Sequence, residues 1–189
     1  MLEQPIESSV PLAEKSDELV NQQETKDLAW FAGILEADGW ITVNTYKCSG
    51  ARRGNSIKVV VGVCGQDAIV IREVYLIWRR MGIVGCIGEG STPKGNKKIL
   101  ALTTSKFSNI KVILRKVIPY MRGEKRARAE LALQFILSRL SRQNLDLDEK
   151  EVYILNRYCE GYSGKYKGER STNLSRFLTD LTLPPPKAG

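Results

Sequence analysis

Histidine is absent from all 189 residues. That removes nucleophile triads and general bases built on imidazole, and every zinc site that needs a histidine ligand. Cysteine is scarce. Cys48, Cys64, Cys86 and Cys159 stand far apart with no CxxC pair, which argues against a zinc ribbon, a thioredoxin-like centre or a disulfide framework, and for thiols kept reduced. Long apolar runs are missing as well: stretches such as Val59–Cys64 are far too short to cross a bilayer. Met1–Glu24 is polar and acidic, where a secretory signal would need a basic start and an apolar centre. A soluble intracellular protein is expected, with no membrane partner, in a prokaryotic cytoplasm or an organelle alike. Any metal must be held by oxygen ligands, which suits Mg²⁺ or Mn²⁺.

Positive charge is present in excess, at +8 overall, but unevenly. Residues 1–24 carry six acids against the single base Lys15, so the remaining chain holds 28 bases against 15 acids, a surplus of 13. A domain this basic meets a polyanion. Charge alone does not separate DNA from RNA. At 42% hydrophobic residues the chain can build one well-cored domain with a tail at either end.

Met1–Glu24, broken by Pro5 and Pro11, reads as a flexible acidic arm. Asp27 is the expected N-cap of a helix running to about Asp38, with Gly39 as its C′ stop. Trp40–Lys47 then alternates, Ile41, Val43 and Thr45 on one side and Trp40, Thr42, Asn44 and Tyr46 on the other, which predicts a strand. A second strand is expected over Ser56–Gly65, with Ile57, Val59, Val61 and Val63 sharing a face. A helix over Asp67–Met81 closes at Gly82; two strands follow near Val84–Glu89 and Lys97–Thr104. Lys106–Val117 and Lys125–Leu140 are helical by apolar spacing and split by Pro119. Weaker helices lie near Leu147–Tyr158 and Thr172–Leu181. The order predicts an α+β fold, α-β-β-α-β-β-α, in which a four-stranded antiparallel sheet is covered by helices on one face. The domain boundaries fall at 25 and 142, leaving a helical tail over 143–189.

The first of these helices is unusual. Ala29, Gly33 and Ala37 recur every four residues and form a stripe of small side chains, while Leu28, Phe31 and Leu35 point toward a core. A small stripe lets another helix approach closely. A helix with two packing faces needs two neighbours, and with one such segment per chain the simplest second neighbour is its copy in a twofold dimer. Asp38 falls in the last turn, where the helix dipole disfavours a carboxylate unless a cation is at hand. In a symmetric pair the two Asp38 side chains and the Ala37 carbonyls converge into an oxygen-rich pocket suited to shared Mg²⁺.

Phe31-Ala32-Gly33-Ile34-Leu35-Glu36-Ala37-Asp38-Gly39 resembles the nine-residue motif of the LAGLIDADG homing endonucleases. Ala32, Gly33, Ala37, Asp38 and Gly39 are identical to it, and Glu36 stands for its first Asp. With the element order, the resemblance covers roughly Thr25–Arg142. It implies a sequence-specific endonuclease that hydrolyses both strands of a long, near-palindromic double-stranded DNA site with a divalent metal, acting as a homodimer. It assigns Asp38 as metal ligand in each subunit. The family's catalytic glutamine falls on Gln66 counted back from Gly82, or on Gly65 if strand register governs. Its pocket lysine falls on Lys125 counted from the following helix, or on Glu124 counted from Pro119.

Reading of DNA bases is expected from the uncovered sheet face and its loops, through Thr42, Asn44, Tyr46, Lys47, Arg52, Arg53, Asn55, Ser56, Lys58, Lys97 and Lys98, since a twisted ribbon fits the major groove. Arg122, Arg126 and Arg128 are expected on phosphates. Two alternatives share the resemblance: an RNA maturase that assists intron splicing, and a DNA-binding regulator without cleavage.

Overall fold

Alternation builds the sheet. In the computed structural model Ile41 and Val43 are buried while Thr42 and Asn44 are half-covered and Tyr46 is exposed, so strand β1 (Gly39–Lys47) turns one face to a core and one away. Strand β2 (Asn55–Gly65) pairs with it antiparallel, Ile41 opposite Val61 and Val43 opposite Val59. Helix α2 (Ala68–Arg80) follows, then β3 (Cys86–Ser91) and β4 (Lys98–Thr104). The sheet order is β1-β2-β4-β3, antiparallel throughout. Helices α3 (Phe107–Val117) and α4 (Glu124–Ser141), joined by a 3-10 turn at Ile118–Tyr120, and α5 (Glu149–Glu160) complete the chain, with a further helical stretch over 174–179. The expected α+β architecture, with one covered sheet face, is present. The structure describes residues 12–47, 55–91, 98–142, 146–160 and 174–179. Among them no helix is long and apolar enough to cross a membrane.

Helix α1 departs from expectation. It starts at Leu12, not at Asp27, and runs to Ala37, so Leu12–Glu24, expected as part of the arm, is helical. The missing amphipathic signal has a reason: where α1 packs on the sheet it buries Leu28, Phe31, Ala32 and Leu35, whereas Asn21–Lys26 are exposed and need no apolar stripe. Asp27 is not a cap. Its carboxylate accepts from Gln23 and pairs with Arg80 of α2.

Gly39 is not a left-handed stop either. It already belongs to β1, opposite Val63. Glycine is required because a Cβ there would lie 2.6–2.7 Å from the Cδ1, Cα and carbonyl O of Leu35. Among the described residues the positive-φ glycine is Gly82, at 74°, just past the Met81 C-cap of α2, as its position predicts. At the other end of α2, Asp67 caps by accepting from the Ile69 N–H at 2.8 Å.

The core lies between sheet and helices, with Trp78 edge-on to Phe31 at 6.2 Å. The C-terminal region is tied into it. Asp148 and Glu151 form a reciprocal capping box at the start of α5: the Glu151 N–H donates to Asp148 at 2.7 Å, and the Asp148 N–H to Glu151 at 3.2 Å. The Tyr158 hydroxyl donates to the Ile41 carbonyl at 2.6 Å, holding α5 against β1, an end strand of the sheet. Tyr158→Phe leaves that buried carbonyl without this donor. A loss of about 1–2 kcal/mol of unfolding free energy is expected, measured by urea denaturation.

Candidate active site and nucleic-acid surface

The small-residue stripe is bare. Ala29, Gly33 and Ala37 are all exposed, on the side of α1 away from Leu28, Phe31 and Leu35. A Cβ added at Gly33 would meet nothing within 4 Å. Nothing else in the described chain uses this face for close packing. Trp30 lies beside the stripe at 41% exposure. Sequence reasoning passed over it, although its spacing of three from Gly33 puts it at the stripe's flank.

Asp38 forms the whole connection between α1 and β1. Its N–H donates to the Ile34 carbonyl at 2.9 Å, and its own carbonyl accepts from the Cys64 N–H at 3.3 Å. Its carboxylate is exposed and has no hydrogen-bond or ion-pair partner among the described residues. The Cys64 thiol sits 3.7 Å from the Asp38 carbonyl. Burial raises that thiol's pKa, with Asp38 adding to the effect and Lys125 opposing it.

Glu36 behaves differently from Asp38. Its carboxylate accepts from the backbone N–H groups of Arg122 at 2.9 Å and Gly123 at 2.6 Å, just ahead of α4. Lys125, in the first turn of α4, donates to the carbonyls of Glu36 at 2.6 Å, Gly39 at 2.7 Å, Leu35 at 3.2 Å and Ala37 at 3.4 Å. Its pKa is lowered, chiefly by burial and also by Arg128, against Asp38, Glu36 and Cys64. Lys125 therefore reaches the end of α1. Gln66 is exposed just past the end of β2, two residues from Cys64, and Gly65 is the last residue of that strand.

The open sheet face carries Trp40, Thr42, Asn44 and Tyr46 of β1, paired with Gly62, Val60, Lys58 and Ser56 of β2. Thr42, Asn44, Tyr46, Ser56 and Lys58 thus share one surface, as expected. Trp40 covers Gly62, where a Cβ would come within 2.5 Å of the indole. Toward β4 and β3 this face turns smooth: Ala101 and Ile99 oppose Gly88 and Gly90. Lys98 requires correction. It is in phase with Leu100 and the buried Leu102, so it belongs to the helix-covered face, exposed at its rim. A one-residue shift in reading β4 reverses every assignment on it. Arg52, Arg53 and Lys97 lie outside the described residues, as do the side chains of Lys47 and Asn55. Arg122 is exposed, Arg126 pairs with Glu130 at 3.0 Å, and Arg128 stands close enough to Lys125 to depress its pKa.

No sequence-family model and no curated protein matches the chain. Solved structures do. The homing endonuclease I-CvuI in complex with the I-CreI target aligns over 86% of this chain and 98% of its own, with TM-score 0.58 and 19% identity. The archaeal intron-encoded homing endonuclease I-Vdi141I, complexed with DNA, aligns over 83% and 97%, with TM-score 0.63 and 12% identity. The I-SmaMI LAGLIDADG homing endonuclease, bound to cleaved DNA, aligns over 86% of this chain but 51% of its own, with TM-score 0.60 and 17% identity. The motif helix, the sheet order and these alignments agree: the chain has the fold of the LAGLIDADG homing endonucleases, in a chain that carries the motif once.

Proposed function

We propose that this chain is one subunit of a homodimeric, divalent-metal-dependent endonuclease that cuts both strands of a long, near-palindromic DNA site. The observation that carries this reading is the position of Asp38. An exposed, unpartnered carboxylate stands where the bare Ala29/Gly33/Ala37 stripe meets the open sheet face. A second copy docked on that stripe brings two such carboxylates together beneath one continuous surface. The size relations support the same arrangement, since this chain spans nearly all of I-CvuI and half of I-SmaMI.

The donors suit a hard cation. Among the described residues no group of three histidine, cysteine or acidic side chains gathers within one chain, and Glu36 is committed to backbone N–H groups. Among the described residues Asp38 is thus the free carboxylate at this end of α1, and Mg²⁺ is commonly held by one or two carboxylates with phosphate and water completing the set. Asp38 of each subunit would hold Mg²⁺ or Mn²⁺, with the Ala37 carbonyl as a further oxygen. When bound, such an ion polarises the phosphodiester and offsets charge building on the leaving oxygen. Gln66 would orient the scissile phosphate or water, and Lys125 lies at the same helix end. Thr42, Asn44, Tyr46, Ser56 and Lys58 face base edges in the major groove, and Arg122, Arg126 and Arg128 position the backbone. The nuclease domain would span 25–142, with α5 held against it through Tyr158 and Ile41.

The test is selection of bound duplexes from a random library, followed by incubation of the selected DNA with Mg²⁺. A site with dyad symmetry, cut on both strands and bound less tightly as salt rises, is the expected result. Selected DNA lacking any dyad would exclude the twofold reading. Binding without cutting would move the protein to the regulator alternative, and preference for precursor RNA to the maturase one.

A further inference from the structure

Helix α1 ends at Ala37, and like any helix it leaves its final carbonyls without intrahelical donors. Helix α4 begins at Glu124 behind Gly123, which has no side chain to cap it, so its leading N–H groups need an acceptor from elsewhere. Each end is served by the other helix. Glu36, from the last turn of α1, accepts from Arg122 and Gly123 through one carboxylate oxygen. Lys125, from the first turn of α4, donates to carbonyls of α1 and to Gly39. Both charges have the favourable sign, an anion at an N-terminus and a cation at a C-terminus.

We propose that Glu36 and Lys125 form a reciprocal clasp between these helix ends and act as positioning residues for Asp38, Lys125 holding backbone in place of contacting DNA phosphate. An ammonium has three N–H donors, and four carbonyls at 2.6–3.4 Å occupy them. Two of those carbonyls, of Ala37 and Gly39, flank Asp38 on either side, while the carbonyl of Asp38 itself is held by Cys64. The clasp therefore orients the peptide units from which the carboxylate projects. Its consequence for cleavage rests on the nuclease reading above; the clasp itself does not.

The experiment compares wild type with Lys125→Met, Lys125→Arg, Glu36→Gln and the Lys125→Met/Glu36→Gln double variant. Thermal denaturation comes first, without DNA or metal. Each clasp variant should melt lower, Lys125→Met by roughly 3–10 °C, and the double variant should lose less than the two single losses combined, because the pair shares the backbone of Glu36 and the α4 start. A lysine waiting for phosphate would instead leave the free protein's melting unchanged or raise it, and that result overturns the clasp. Single-turnover cleavage at saturating DNA comes second. Arginine keeps the charge and contacts phosphate well, yet its planar fork cannot converge on the carbonyls. Lys125→Arg should therefore cut more slowly, by roughly tenfold or more, with DNA affinity little changed. Full activity in Lys125→Arg would overturn the positioning role. Should wild type cut no DNA, the nuclease reading fails, and the melting comparison still decides the clasp.

Discussion

Asp38→Asn should bring DNA cleavage down by roughly 10³-fold while leaving DNA binding intact. The substitution preserves size and one oxygen but removes a negative charge from each subunit, so two per dimer. Among the described residues no second carboxylate is at hand at this helix end: Glu36, two residues earlier, is hydrogen-bonded to the start of α4. Loss of a metal-held charge in the transition state amounts to several kcal/mol, and each 1.36 kcal/mol is tenfold in rate. Under the proposed function binding rests on other groups, the polar residues of the open face and the basic ones around it, so affinity in Ca²⁺ should hold or tighten slightly as two like charges leave the DNA surface. Filter binding and nicking of the same duplex measure both. An Asp38→Asn protein that cuts near the wild-type rate removes the metal-ligand role from this residue.

Gly33→Leu should separate folding from association. Within one chain the added side chain starts into open space, since a Cβ at Gly33 has no neighbour within 4 Å. Leucine is also the better helix former, by about 0.8 kcal/mol, so the monomer's melting temperature should hold or rise. In a twofold helix pair the same side chain enters the closest approach from both subunits at once. Overpacking costs about 1–3 kcal/mol per side, and every 1.4 kcal/mol is tenfold in affinity, so the dimer's dissociation constant should rise roughly 10²-fold or more. Sedimentation equilibrium of both proteins without DNA decides it. Wild type sedimenting as a monomer at micromolar concentration would count against the homodimer itself.

What could be read from the sequence is what repeats along it. The strands showed because Ile41 and Val43, then Val59, Val61 and Val63, alternate with partners facing away, and only one sheet face is covered. Gly82 showed because α2 stops at a turn that needs positive φ. The stripe showed because its spacing of four needs no knowledge of the rest of the fold. The start of α1 did not show: Asn21–Lys26, ahead of the part that packs on the sheet, are exposed and carry no apolar period, and Asp27 looks like a cap only until Arg80 arrives beside it. Lys98 was misplaced because β4, with Ile99, Leu100 and Leu102 close together, offers no clean alternation from which to fix register. The tie from Tyr158 to Ile41 and the contacts of Glu36 and Lys125 depend on elements distant in the chain meeting in space. Local spacing carries no trace of those.

Many binding and catalytic residues sit on loops, which open by themselves far more often than the whole domain unfolds. Asp38 has no loop to ride on. With α1 ending one residue before it and β1 starting one residue after, freeing its backbone means breaking the last turn of the central helix and the first rung of the sheet together. Local opening at this position is therefore close to global opening. The backbone that carries the carboxylate keeps its place for as long as the domain stays folded, and substitutions on the outer strands leave it undisturbed until they exhaust the stability of the whole.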